Sequence, residues 1–273
     1  MKSNNKLLVG VPAYNCEKQI GFTLNEVLDL SKEINSQLEI AIFENNGTDR
    51  TLDVCVKLIE DNLDHEVVIS LYKNNSNIGL GGSQKNIFQK SIDENFTHVM
   101  ILHGDNQVEV EYSLNSINYA LSTARYDAYL GSRFMRGSKR SNYSKIRTIY
   151  NYSLNSIFSL VLKNRISDLG SGLNLYLVNS LSNQSFWQLT SNNLTFNYDM
   201  LIQSYENHFK MHYFPIHWKQ EDQISNVKII SQLLETLKIL IKYIFGINDV
   251  KTSASKSSQK NYKFIISNRL KNE

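Results

Sequence analysis

With 273 residues, 41% of them apolar and 11% aromatic, the chain has enough apolar side chain for one large α/β domain or one domain with an appendage. Two cysteines, Cys16 and Cys55, exclude a disulfide framework and are expected as reduced packing residues. The net charge of +3 is uneven: from Gln223 onward nine Lys/Arg face three acids, giving +6 and leaving −3 for the body. A basic tail points to an anionic surface as partner. Nucleic acid is disfavoured, because the basic residues alternate with a long apolar helix and match no reader motif.

Met1-Lys2-Ser3-Asn4-Asn5-Lys6 runs straight into Leu7–Val11 without an apolar leader, so a cytoplasmic chain is expected. Strand-like runs follow at Leu7–Val11, Leu38–Phe43, Val67–Tyr72 and His98–Leu102, separated by helix-like stretches at Glu17–Ile34, Asp49–Asn62, Ser83–Asn95 and Val110–Ala124. This alternation predicts a mostly parallel sheet with helices on both faces. A strand at Asp127–Ser132, a helix at Lys145–Leu162, a strand at Leu173–Leu177 and a helix at Tyr198–His208 continue it. Val227–Phe245 reads as an amphipathic helix, with Lys228, Glu235, Lys238 and Lys242 opposite a wide apolar face. Its charges argue against a membrane span. A place in the membrane interface, or packing on the core or a second subunit, fits instead. The expected division is a domain over residues 1–226 and a helix with a basic tail over 227–273, in contact with a membrane interface or an oligomer partner.

The loops after the first four strands carry the chemistry, because ligands of open α/β sheets bind at the carboxyl ends of the strands. Those loops are Pro12-Ala13-Tyr14-Asn15, Glu44-Asn45-Asn46-Gly47-Thr48-Asp49, Asn77-Ile78-Gly79-Leu80-Gly81-Gly82 and His103-Gly104-Asp105-Asn106-Gln107. Together they make a nucleotide site. Glu44 and Asn45 offer an acceptor and a donor for a base or ribose edge, or else a capping turn before Asp49. The glycines at 79, 81 and 82 permit a turn into a helix whose N-terminus faces anions, with Lys85 nearby. Asp105 is the candidate metal ligand, since hard cations prefer carboxylate and phosphate oxygens.

With Gly131-Ser132-Arg133, Asp168-Leu169-Gly170-Ser171-Gly172-Leu173 and the run Trp218 to Lys228, these motifs stand in the order seen in family 2 glycosyltransferases. Within it the chain most resembles the polyprenyl-phosphate, dolichol-phosphate mannose synthase-like branch. The resemblance implies a GT-A fold, a nucleotide-diphosphate sugar donor, Mg²⁺ or Mn²⁺, and inversion at the anomeric carbon. It assigns Pro12, Ala13, Tyr14, Glu44, Asn45, Lys85, His103 and Gly104 to the nucleotide sugar, and Gln107 to the metal beside Asp105. His103 stands where the family usually has aspartate; phosphate contact or strand capping is ranked above metal ligation. Arg133 and Arg147, 14 residues apart, match two arginines that hold an acceptor phosphate in that branch, with Asn151 in place of a serine. Asp168 and Asp199 compete for a catalytic role. A hydroxyl acceptor needs a base and a phosphate acceptor does not.

In the run from Trp218, Lys219, Glu221-Asp222 and Ser225-Asn226 depart from that branch and keep a glycan acceptor open. The expected activity is therefore metal-assisted transfer to a polyprenyl-phosphate or lipid-linked acceptor by an enzyme peripheral to the inner face of the cell membrane. The alternatives are transfer to a sugar hydroxyl in surface-polysaccharide assembly and a non-catalytic nucleotide-sugar or lipid-binding subunit. A homo-oligomer is compatible with either.

Overall fold

The computed structural model describes residues 5–220, 229–246 and 262–269. In chain order the elements are β1 (Lys6–Ala13), α1 (Ile20–Leu30), β2 (Gln37–Glu44), α2 (Thr51–Asp61), β3 (Val68–Asn74), α3 (Gly79–Asp93), β4 (His98–Leu102), β5 (Val108–Glu109) and α4 (Val110–Ser122). They continue with β6 (Ala128–Ser132), β7 (Lys139–Ser141), α5 (Lys145–Leu162), β8 (Leu173–Leu177), α6 (Val178–Asn183), α7 (Phe196–Glu206), β9 (Met211–Pro215), β10 (His217–Lys219), α8 (Ile229–Ile244) and β11 (Tyr262–Ser267).

Eight strands form one sheet in the order β11-β3-β2-β1-β4-β8-β6-β9, and β5, β10 and β7 form a small second sheet. β1 to β4 are parallel, β8 is antiparallel to both β4 and β6, and β11 is antiparallel to β3. The α/β architecture with a mostly parallel mixed sheet is thus the one expected.

The central strands read as unbroken apolar runs because both faces are covered. In β1, Leu7, Val9 and Val11 join the core under α1, α2 and α4, while Leu8 joins the core shared with α3, α5 and α7. β4 divides in the same way, Met100 and Leu102 to the first core and Val99 and Ile101 to the second. Cys16 and Cys55 are free and buried, as packing residues should be.

The edge strand β11 was not expected. Tyr262–Ser267 pairs with β3, and Tyr262 sets its ring edge-on against Phe43 and Tyr72, so the sheet takes one strand from the stretch after residue 226. The Val227–Phe245 pattern appears as α8, while the end of the Trp218 to Lys228 run and most of the basic tail lie outside the described residues. Among the described residues no helix is long and apolar enough to cross a membrane.

Candidate functional site

Parallel pairing brings the carboxyl ends of β1 to β4 to one edge, and β6 ends there too because it runs antiparallel to β8. The antiparallel β8 starts at the same edge, so residues 168–172 meet the loops after β4 and β6. Every loop with a predicted motif up to residue 172 therefore converges there.

The loops are locked to one another by amides. Asn15 Oδ1 accepts from Thr48 N at 2.8 Å, and Asp49 accepts from Glu17 N at 3.0 Å and from Thr51 N at 2.9 Å. Burial opposes the Asp49 charge, but its bonds to Thr51 and Glu17 hold the carboxyl below its ordinary value. Asn45 Oδ1 accepts from Asn74 Nδ2 at 2.9 Å and Ile78 N at 3.0 Å, while Asn45 Nδ2 donates to Asn77 at 2.9 Å. Asn45 therefore ties β2 to the loop before α3 rather than presenting a free edge. Glu44 is different. Its Oε1 accepts from Gly47 N at 2.5 Å, while its buried Oε2 meets no protein donor. An unpaired buried carboxylate oxygen costs free energy unless something binds it. Pro12 and Ala13 contribute carbonyls to neighbouring loops, Pro12 to Gly104 N and Ala13 to Asn45 N, and the Tyr14 ring is exposed.

His103 and Asp105 sit partly exposed beyond β4. His103 N donates to Gly172 O at 2.9 Å, and the imidazole lies against Gly172, whose φ of +77° suits glycine. Burial keeps the imidazole pKa below its usual value, against the pull of Asp105. The same burial raises the Asp105 carboxyl, opposed by His103 and the Gln107 N–H, which reaches Asp105 Oδ1 at 3.3 Å. A cation would restore the charge that burial disfavours. Among the described residues no three His, Cys, Asp or Glu side chains gather into a metal shell.

Two assignments change. At the glycine-rich start of α3 two N–H groups are taken up by neighbouring loops: Gly79 N donates to Asn77 Oδ1 at 2.9 Å and Gly82 N to Asn192 O at 3.1 Å. A Cβ at Gly81 would lie 2.4 Å from Ser191 O, so this glycine lets residues 191–196 pack on the helix. Lys85 turns the same way, its Nζ donating to Gln188 O at 3.1 Å, Asn192 Oδ1 at 2.9 Å and Thr190 O. Burial pulls its pKa down to about 8, with Asp199 opposing.

Arg133 and Asp168 form the second change. Asp168 Oδ2 accepts from Arg133 N at 2.9 Å and Nε at 2.8 Å, and Oδ1 from Arg133 Nη2 at 2.7 Å and Gly170 N at 3.1 Å. Both residues are buried, so each read as a free site group is instead half of a bidentate ion pair. Burial works against the guanidinium charge and Asp168 more than reverses it, raising the Arg133 pKa. Trp218 covers the pair, its ring centre 4.9 Å from the guanidinium carbon.

Arg147 and Asn151 lie on the first turns of α5. The Asn151 Nδ2 donates to Tyr143 OH at 2.9 Å and to Arg147 O at 2.8 Å. Burial raises the Tyr143 hydroxyl pKa, while Arg133, Arg147 and Arg140 all pull it down. Arg140 and Tyr143 went unnoticed in the sequence; their signal is the basic run Arg133 to Arg147. Asp199, at the first turn of α7, accepts from Ser191 N at 2.9 Å; burial raises its pKa against Ser191, Lys85 and Lys242.

Residues 8–183 match the model of glycosyl transferase family 2. No curated protein sequence matches the chain. Among solved structures, the chain is similar to mannosyl-3-phosphoglycerate synthase from Rubrobacter xylanophilus, with a TM-score of 0.59, 10% identity, and coverage of 88% of this chain and 73% of that one. Glucosyl-3-phosphoglycerate synthase from Mycobacterium tuberculosis, solved with UDP, gives 0.57 and 10%, covering 90% and 80%. A mannosyltransferase from Pyrobaculum calidifontis, solved with GDP-Man and Mn²⁺, gives 0.52 and 14%, covering 91% and 71%. At these identities the likeness speaks to the fold.

Proposed function

The chain belongs to glycosyl transferase family 2 and is a glycosyltransferase using a nucleotide sugar, and from that premise we propose that its acceptor is a polyprenyl phosphate or a lipid-linked phosphate. The donor lies along the edge from β2 to β4. Glu44 Oε2 takes a base or ribose donor, Tyr14 flanks the nucleotide, and the diphosphate reaches Asp105 with His103 and Gly104 beneath it.

Asp105, with Gln107 beside it, would hold Mg²⁺ or Mn²⁺, which when bound neutralises charge developing on the leaving diphosphate. That the Pyrobaculum mannosyltransferase was solved in complex with both GDP-Man and Mn²⁺ supports this reading. Arg147 and Arg140 hold the acceptor phosphate around Tyr143, with Asn151 orienting the ring. Arg133 acts from behind, fixing residues 168–172 and through them His103. The chain works at the inner face of a membrane, with α8 and the basic tail contributing contact.

The observation that carries the phosphate acceptor is the commitment of Asp168 to Arg133. A hydroxyl must lose a proton as it attacks, which requires a positioned base. A phosphate oxygen attacks the anomeric carbon without one. The bond from that carbon to the donor phosphate oxygen breaks, the nucleoside diphosphate leaves, and the configuration inverts. Transfer to a sugar hydroxyl stands as the second reading, because Asp199, whose carboxyl burial pushes above its ordinary value, is left as a candidate base.

A donor panel with and without a short-chain polyprenyl phosphate tests this. Release of nucleoside diphosphate should rise when the lipid phosphate is added and vanish with chelator. Stimulation by free glycans alone would favour the hydroxyl acceptor.

A further inference from the structure

The sequence between Asp127 and Asp168 contains eight Lys or Arg and no Asp or Glu. In a chain of net charge +3 this leaves the remainder net negative, so the positive charge is gathered on β6, β7 and α5 as well as on the tail. On α5, interrupted by exposed Ser153 and Ser156, three large apolar residues face outward: Ile146, Ile149 and Leu160 are 72%, 68% and 81% exposed. At 100° per residue they and Ile157 fall on one stripe. Exposed Lys145, Lys163 and Arg165 stand at its two ends.

The helix α8 lies beside this stripe, since its buried Thr236 sits between Tyr150 of α5 and Tyr198 of α7. Leu234 and Ile241, both exposed, lie on the side of α8 turned away from Thr236, with Lys238 next to them and exposed Phe245 just past the helix end. A cavity of about 600 Å³ opens on the flank of α5 next to the stripe, sharing Leu160 with it, and Tyr152, Lys163 and Arg165 are among its walls.

We infer that α5 and α8 together form a docking face for an anionic lipid bilayer, so that membrane contact is built into the catalytic domain. The inference rests on the lipid-acceptor reading and names the surface that serves it. An apolar stripe ringed by lysine and arginine suits the boundary between headgroups and acyl chains, and the cavity gives a headgroup phosphate a recess between two cations. A second copy is the poorer occupant, because it would press together two α5 surfaces whose only charges are basic, and lysine is depleted in protein interfaces.

Sedimentation of the full chain with phosphatidylcholine vesicles, with and without phosphatidylglycerol, tests the face. The chain should pellet with the anionic vesicles and be released by salt. Each cation near such a surface is worth about 1 kcal/mol, about fivefold in affinity, so Lys145→Gln, Lys163→Gln and Arg165→Gln together should weaken binding about a hundredfold. Ile149→Ser with Leu160→Ser should weaken it without lowering Tm, since both side chains are exposed. No pelleting by the wild-type chain, or undiminished pelleting by the triple variant, overturns the inference. So does a dimer in sedimentation velocity that Leu160→Ser dissociates, with no vesicle binding. Transfer to a detergent-dispersed polyprenyl phosphate separates the two claims: if the wild-type chain binds vesicles but makes no lipid product, the acceptor reading fails and the docking face stands.

Discussion

Asp168→Asn should unfold the protein far more readily than it changes any chemical step. Asp168 is 3% exposed and accepts four hydrogen bonds, three of them from Arg133, which is 9% exposed. The asparagine keeps the size of the side chain but leaves a buried guanidinium without its counter-charge. Breaking one partner of a buried pair costs about 3–5 kcal/mol, a large part of a typical total stability of about 5–15 kcal/mol. Urea unfolding followed by circular dichroism reads the loss as a lower midpoint. Arg133→Met combined with Asp168→Leu should recover much of it, because replacing both charges with apolar groups of similar volume is often neutral. The reasoning is refuted if Asp168→Asn unfolds within about 0.5 kcal/mol of wild type yet has no turnover, for then Asp168 is a base.

Asp105→Asn should abolish metal-dependent turnover with an unchanged circular dichroism spectrum, whereas His103→Ala should keep part of it, as imidazole is a poor Mg²⁺ ligand beside oxygen donors. Equal loss of activity and of metal affinity in the two would place His103 in the coordination shell. Lys85, lowered to about 8 from 10.5 by burial, releases its proton more readily folded than unfolded; stability from this group therefore rises with pH between those values. Lys85→Met should remove that rise in urea midpoints measured at mildly and strongly alkaline pH, and an identical rise in the variant would contradict the assignment. Gly81→Ala puts a methyl 2.4 Å from Ser191 O and should cost about 1–3 kcal/mol; an unchanged urea midpoint would mean that residues 191–196 do not pack on α3.

The strands and the convergence of their loops were legible because burial on both faces writes β1 and β4 as continuous apolar runs, and α5 and β8 fall where their patterns place them. The start of α3 was not. Glycines at 79, 81 and 82 read as a turn, yet they lie inside the helix because a segment more than 100 residues later packs there. The same distance hid the partners of Lys85. The Arg133–Asp168 pair spans 35 residues and depends on β8 running against its neighbours, so spacing made each residue look like a free site group. The strand β11 was missed because Tyr262–Ser267 is short and follows a Ser/Lys-rich stretch that reads as tail.

The claim that this glycosyltransferase acts on a lipid phosphate is tested most directly by the covalent structure of its product. Reaction with nucleotide sugars, a short-chain polyprenyl phosphate and Mg²⁺ or Mn²⁺ should yield a lipid in which phosphorus and proton NMR place the sugar on the phosphate, with anomeric configuration opposite to the donor. A product bearing the sugar on a glycan hydroxyl, with the lipid phosphate left unmodified, would contradict the account.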